Sequence, residues 1–359
     1  MPIKDISIAV LPGDGIGPEV MGSALQVLER VGQRIQRRFV HQVHPAGAQH
    51  YVDTGDSLPK STLAACRAAD AILFGAMGLP HVRGKDGTEI IPQLDIRFAL
   101  DLYAGVRPVR TWPGLPVPLS DPRATKIDLV LIRENTEGLF YARGRGVVEA
   151  DAVYDTQKIS RAGTNRIVDF ALNLARERVQ KGKPGKVTNV DKANVFASMA
   201  FWRQIFEERA RRFPDIKTEN AYVDAMALNL VLKPWQYDVL VTENMFGDIL
   251  SDLIASLVGG MGMAPSGDIG DEHGLFQPAH GTAPDIAGQG IANPTAMILS
   301  VAMMLDWLSV RQDDAALAIG ARLIEDAVQS AFAVHIVRPR EFGGKSGTAD
   351  ITRAVLEQL

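Results

Sequence analysis

The chain is punctuated by short apolar runs. Ile6 to Leu11 reads as a buried strand, closed by the turn Pro12-Gly13-Asp14-Gly15. Ala71 to Gly75, Ile127 to Ile132 and Asp238 to Val241 read the same way. A helical period runs from Pro18 to about Gln36, and another helix opens at about Asn244. Strands alternating with long helices predict an α/β architecture with a largely parallel core sheet. Trp112 to Pro122 is rich in proline and predicts exposed surface. Gly144 to Asp155 is polar and β-branched, and predicts a hairpin: an arm for a partner subunit or a simple surface hairpin.

With 359 residues, 46% of them hydrophobic, the chain can bury a sizeable core. The length suggests about two domains of ~150–200 residues. A net charge of −4 points to neither nucleic acid nor a membrane surface. The longest late apolar run, Ala296 to Leu308, is broken by Ser300 and Asp306 and falls short of the ~20 residues a membrane span needs. Cys66 stands alone, so no internal disulfide forms, and a cytoplasmic setting fits. His41 and His44 have metal-like spacing but no further ligand nearby in sequence.

The richest local chemistry lies in Asn244-Met-Phe-Gly-Asp248-Ile-Leu-Ser-Asp252. Asp248 and Asp252 share one helix face, where like charges repel. A hard divalent cation, magnesium or manganese, would turn that repulsion into binding. The alternative is a solvated acidic face, although Ile249, Leu250, Leu253 and Ile254 make the segment otherwise apolar. Asp224 stands where an apolar strand passes into a helix, as an N-cap or as a third carboxylate of a cation cage. Arg97, Arg107 and Arg133 sit in apolar contexts, Arg133 directly after a strand, where ligand crevices open in α/β sheets. Converging guanidinium groups imply a substrate with more than one carboxylate; three separate structural ion pairs are the alternative. Lys192 is a candidate base, or else the ion-pair partner of Asp191. His280-Gly-Thr-Ala-Pro-Asp285 is a loop of small residues through which a backbone can approach a ligand. Gly13-Asp-Gly15-Ile-Gly17 lacks the spacing of a Rossmann fingerprint.

Six motifs then fall in order: Leu11-Pro-Gly-Asp-Gly-Ile-Gly-Pro-Glu, Arg133-Glu-Asn-Thr-Glu-Gly, Asp191-Lys-Ala-Asn, Tyr222-Val-Asp-Ala-Met, Asn244-Met-Phe-Gly-Asp-Ile-Leu-Ser-Asp and His280-Gly-Thr-Ala-Pro-Asp-Ile-Ala-Gly. Over essentially its whole length the chain resembles the isocitrate/isopropylmalate dehydrogenase family of metal-dependent β-decarboxylating dehydrogenases. The resemblance implies that family's fold: two α/β domains around a mostly parallel sheet. A large cofactor-binding domain would span 1–102 and 259–359; a small domain, 103–258, would carry the dimer interface and an arm at about 140–160. It implies NAD- and Mg/Mn-dependent oxidative decarboxylation of a 3-substituted malate, of the 3-isopropylmalate type, by a homodimer. Each active site would borrow Lys192 and Asp224 from the neighbouring subunit. Arg97, Arg107 and Arg133 would hold the malate carboxylates, with Gln93 and Leu94 near the 3-substituent. Asp224, Asp248 and Asp252 would hold the metal. Ile16, His280, Gly281, Thr282, Ala283, Asp285, Ile286 and Asn293 would line the cofactor, with Asn194 near the nicotinamide. Asp285 would accept both ribose hydroxyls of NAD and repel the phosphate of NADP.

Two departures stand out. Relatives place an acid tyrosine seven residues after Arg133; here that position is Phe140, and Tyr141 follows. Either Tyr141 reaches the site, or Lys192 or water protonates the product enolate, or decarboxylation slows. The segment before Arg97 carries Ile91 and Gln93 where isocitrate enzymes carry serine and asparagine, which argues against isocitrate. Isopropylmalate, D-malate and tartrate stay open as substrates, and so does a non-catalytic regulatory subunit.

Overall fold

The computed structural model describes residues 5–85, 87–334 and 337–359. The chain divides into two compact units. The first runs up to Leu100, takes in Trp112–Pro116 and resumes at Gly259; the second comprises Asp101–Thr111 and Val117–Val258.

In chain order the first unit begins with β1 (Ile6–Leu11), α1 (Gly17–Ile35), β2 (Phe39–Val43), α2 (Ala48–Thr54), α3 (Lys60–Ala68), β3 (Ala71–Phe74) and α4 (Pro92–Ala99). The second unit supplies β4 (Ala104–Arg110), β5 (Asp128–Glu134), β6 (Val147–Val148), β7 (Val153–Tyr154), α5 (Arg161–Gln180), β8 (Lys186–Asp191), α6 (Ala197–Ala210), β9 (Lys217–Tyr222), α7 (Val223–Leu232), β10 (Val239–Thr242) and α8 (Asn244–Ser256). The first unit resumes with β11 (Pro265–Ile269), β12 (Gly274–Pro278), α9 (Thr295–Arg311), α10 (Ala315–Ala333) and α11 (Thr348–Gln358).

Within the first unit the strand order is β2-β1-β3-β12-β11, parallel except where β11 runs against β12. Within the second it is β4-β5-β10-β8-β9, parallel except where β4 runs against β5. Helices cover such strands on both faces, so the central ones read as continuous apolar runs. β3 and β10 are buried at every position. In the first unit the core gathers Val20, Val27 and Val31 of α1 with Leu305 of α9, Ile324 and Val328 of α10 and Val355 of α11. α9 is apolar on nearly every face, as befits a helix buried all round.

β6 and β7 pair antiparallel, Val148 opposite Val153, within the segment read as a hairpin. One expectation fails at Trp112. It opens the proline-rich stretch expected at the surface, yet only 5% of it is exposed, and it joins the first unit's core. An indole removes too much apolar surface from water to stay outside when a cavity is offered. The chain turns immediately afterwards at Gly114, where φ is +85° and a Cβ would lie 2.1 Å from the Phe332 carbonyl oxygen.

Candidate active site

α8 carries the acidic pair of the second unit. Glu243 caps it: the buried carboxylate accepts from the backbone N–H groups of Met245 at 3.0 Å and Phe246 at 2.7 Å. Burial raises the Glu243 carboxyl above its usual range, while the helix N–H groups and Arg133 pull it back. One turn on, Asp248 and Asp252 share a face. The Asp252 carboxyl is raised too, first by partial desolvation and then by the Asp248 charge; Arg133 and Arg107 oppose the shift. Such a pair suits a cation, which would relieve the repulsion.

Arg133 is the penultimate residue of β5 and is 3% exposed. Its Nε and Nη2 donate to Asn244 Oδ1 at 2.9 and 2.7 Å, and its Nη1 donates to Asp248. Its guanidinium lies over the Phe140 ring, 4.9 Å from the centroid. Tyr141, the alternative acid, is placed differently: its ring takes the guanidinium of Arg145 at 4.0 Å and the ammonium of Lys158 at 4.8 Å. Arg107 of β4 is buried, with Nη1 donating to Val106 O at 3.3 Å.

Lys192 and Asp224 stand just beyond β8 and β9 and meet directly, Nζ to Oδ1 at 2.7 Å. That contact holds the Asp224 carboxyl below its usual range. Two expectations change here. Asp191 is not the partner of Lys192, because the Arg203 guanidinium takes both its oxygens at 2.7 and 2.8 Å. Nor is Asp224 the cap of α7: Tyr222 holds that position, and Asp224 sits in the first turn, where a negative charge still suits the helix dipole. Asn194 is exposed two residues beyond Lys192. Among the described residues no three His, Cys, Asp or Glu side chains gather closely enough to hold an ion. Within one chain, then, Asp248 and Asp252 stand together and Asp224 pairs with Lys192, while His41 and His44 gain no third ligand.

In the first unit the loops after β1, β3 and β12 meet. Ile16 N donates to Thr282 O at 2.8 Å, and Thr282 Oγ1 donates to Gly78 O at 2.7 Å. The approach is close enough to demand glycine at Gly15, where φ is +57° and a Cβ would lie 2.1 Å from Thr282 O. Asp14, buried, accepts from the N–H groups of Ala48, Gln49 and Gly78 at 2.7, 2.9 and 2.9 Å. The His280 Nδ1 meets Gly281 O at 2.9 Å, and its buried Nε2 has no partner among the described residues. Burial lowers the His280 pKa, so the ring is neutral at pH 7 and Nε2 is a bare acceptor. Ala283 has a left-handed backbone, Gly281 and Asp285 are exposed, and Ile286 is half-buried. Asn293 is tied down: it donates to Glu341 at 2.7 Å and accepts from Thr295 Oγ1 at 2.6 Å. Also in this unit, Arg97 donates to Asp268 at 2.7 Å and Gln277 braces the same carboxylate at 2.9 Å. Leu94 of the same helix is buried, and Gln93 Oε1 is buried with no partner among the described residues.

Residues 7–355 match the family model described as isocitrate/isopropylmalate dehydrogenase. The chain belongs to this family. The 3-isopropylmalate dehydrogenase of Aquifex aeolicus is 42% identical, over 99% of this chain and 98% of that protein. The 3-isopropylmalate/3-methylmalate dehydrogenase of Methanocaldococcus jannaschii is also 42% identical, over 98% of each. Among solved structures, the isocitrate dehydrogenase of Methylococcus capsulatus superposes with a TM-score of 0.87 at 35% identity, over 98% of this chain and 99% of that one. The protein is thus a β-decarboxylating dehydrogenase of the isocitrate/isopropylmalate type. The same fold class, α/β with a mostly parallel sheet, was legible in its strand and helix pattern.

Sequence reasoning gave no role to Asn244, Asp268 or Asp14. Asn244 lies inside the richest motif, but nothing local shows that its amide reaches Arg133, 111 positions away. Asp14 carried a usable signal, an acid between two glycines at the end of a strand.

Proposed function

We propose that the chain oxidises and decarboxylates a 3-substituted malate, of the 3-isopropylmalate type, with NAD and magnesium or manganese. The observation that carries this reading is the acidic pair Asp248 and Asp252 set beside the buried guanidinium of Arg133. A cation beside an arginine suits a substrate that offers oxygen ligands to the one and a carboxylate to the other, as a malate does. Relatives named 3-isopropylmalate dehydrogenase supply the substituent.

In this reading Arg133, Arg107 and Arg97 hold carboxylates. Asp248 and Asp252, joined by Asp224 of a second copy, hold the cation. A cation held there would supply Lewis-acid polarisation of the substrate's hydroxyl and would favour the negative charge that loss of carbon dioxide leaves behind. Lys192, as the neutral amine, takes the hydroxyl proton, directly or through water, and becomes the ammonium; Asp224 holds its Nζ in place. Phe140 cannot donate a proton, so the acid that protonates carbon 3 is Lys192, water or a displaced Tyr141. His280 Nε2 fits a donor on the cofactor, and the exposed Asp285 carboxylate suits the two ribose hydroxyls of NAD.

A homodimer with shared sites accounts for the exposed apolar side chains of α7 and α8: Leu228 and Leu232 at 61% and Ile249 at 62%. The hairpin arm is likewise exposed at Val147, Val148, Val153 and Tyr154. No helix among the described residues is long and apolar enough to cross a membrane, and a buried lone Cys66 suits a cytoplasmic setting.

One observation favours a second substrate. The buried Gln93 Oε1 would accept from the C3 hydroxyl of tartrate, whereas Leu94 beside it favours an alkyl group. The test is NADH formation with manganese across 3-isopropylmalate, D-malate, tartrate and isocitrate, with and without chelator. Chelator-sensitive turnover, highest with 3-isopropylmalate and with carbon dioxide released, is expected. Highest turnover on tartrate moves the assignment to Gln93. NAD binding with no turnover on any of the four overturns the 3-isopropylmalate assignment and leaves another malate derivative or a regulatory subunit.

A further inference from the structure

We infer that Asn244 is the positioning residue for Arg133: its side-chain amide decides which edge of the guanidinium meets a substrate carboxylate. This deepens the function proposed above and rests on Arg133 binding substrate.

The geometry is over-determined. Asn244 is fully buried at the first position of α8, directly after the Glu243 cap. Its Nδ2 donates to Glu137 O at 3.0 Å. That bond orients the amide, so only its oxygen can face the guanidinium. Oδ1 then accepts from Nε at 2.9 Å and Nη2 at 2.7 Å. One turn later Gly247 leaves the helix face bare: a Cβ there would lie 2.6 Å from Arg133 Cγ and 2.7 Å from its Cβ. Gly138, with φ at +70°, brings the loop after β5 onto the same helix start, where a Cβ would lie 2.8 Å from Asn244 Cβ. Phe140 covers the guanidinium from one side.

The consequence is directional. A guanidinium offers a carboxylate either its Nε–Nη2 edge or its Nη1–Nη2 edge. Here the first edge is committed to Asn244. The second is turned toward Asp248, where the cation-binding carboxylates stand. The acceptor is also neutral. An aspartate at this position would add a second carboxylate to the one Arg133 already meets in Asp248; an amide holds the arginine without adding that charge.

Steady-state kinetics with 3-isopropylmalate, NAD and manganese test this, on Asn244→Ala, Asn244→Ser, Arg133→Lys and the double variant Asn244→Ala with Arg133→Lys. Asn244→Ala is expected to raise KM for 3-isopropylmalate about tenfold or more, to lower kcat less than about threefold and to leave KM for NAD unchanged. Asn244→Ser, which keeps an acceptor oxygen, recovers part of the loss. On the Arg133→Lys background, removing the Asn244 amide changes KM by less than about twofold, because the arginine it steers is gone. Equal effects on both backgrounds, or equal rises in KM for both ligands, make Asn244 merely structural and overturn the proposal while the substrate reading stands. An unchanged KM in Arg133→Lys, or no saturable rate in the parent protein, overturns both. Should Asn244→Ala not fold, the serine variant on the two backgrounds gives the same comparison.

Discussion

Two regions of the molecule position functional groups by opposite means. In the first unit the loops after β1, β3 and β12 are fixed largely through main chain, with the Asp14 carboxylate and the Thr282 hydroxyl each bonded to main-chain groups. Ile16 N meets Thr282 O, and Gly15 lies too close to that oxygen for any side chain. In the second unit the placement is done by side chains: the Asn244 amide on Arg133, Asp224 on Lys192, Arg203 on Asp191. A backbone-built region resists drift in side-chain chemistry but tolerates no added atom. A side-chain-built region folds with altered side chains but loses its function with them. The two should therefore fail in different observables.

The largest separation should come from Lys192. Replacing it with methionine removes the base and is expected to lower kcat by about 10²–10⁴-fold. The partner carboxylate Asp224 is largely exposed, so melting should shift by no more than about 2 °C, as for other surface pairs. A kcat within tenfold of the parent would remove Lys192 from the chemistry. Gly15→Ala should do the reverse. Its left-handed backbone and the 2.1 Å approach to Thr282 O make it cost about 3 kcal/mol or more, read as a melting temperature lower by about 6 °C or more. Parent-like melting would mean that the loops have room to part.

The smallest effect sharpens the boundary between the two modes. Glu134, next to Arg133, is almost wholly buried, and burial pushes its carboxyl up to about 7; the N–H groups of Thr136 and Glu137 and the Thr136 hydroxyl hold it partly down. The folded state therefore holds a proton that an unfolded glutamate sheds near its ordinary ~4.3. Folding stability drops as pH rises from about 4.5 to about 7, and this contribution is constant outside that window. Glu134→Gln removes the term. Its stability relative to the parent should rise by about 2 kcal/mol between pH 5 and pH 8 in denaturant titrations. A pH-independent difference would show that Glu134 ionises as it would in water.

The sequence revealed what depends on local pattern. β1, β3, β5 and β10 are apolar runs long enough to declare themselves, and α1 shows its period. β9, Lys-Thr-Glu-Asn-Ala-Tyr, is an exposed edge strand whose partner β8 decides its conformation. β11 contains proline, glycine and aspartate, and its strand conformation comes from pairing, as with β12, rather than from its own pattern. The site shows the same division. The motif residues of α8 were readable because helical spacing aligns them. Partnerships were not: Arg97 meets Asp268 and Lys192 meets Asp224 across distances along the chain that no local pattern encodes. Asp191 was the nearer choice for Lys192, but a strand-end neighbour points elsewhere, and Arg203, nearly two turns into α6, reaches it instead.

The interleaving of the two units also sets a timetable at the ribosome. The second unit is complete once Val258 has emerged, so its sheet can close while synthesis continues. β1, β3 and α1 have left the exit tunnel earlier, yet β12 and the core helices α9, α10 and α11 that cover them do not yet exist. At about 5–20 residues per second, those apolar faces wait roughly ten to sixty seconds for their partners. The nascent first unit thus keeps apolar surface exposed for longer during synthesis than the second.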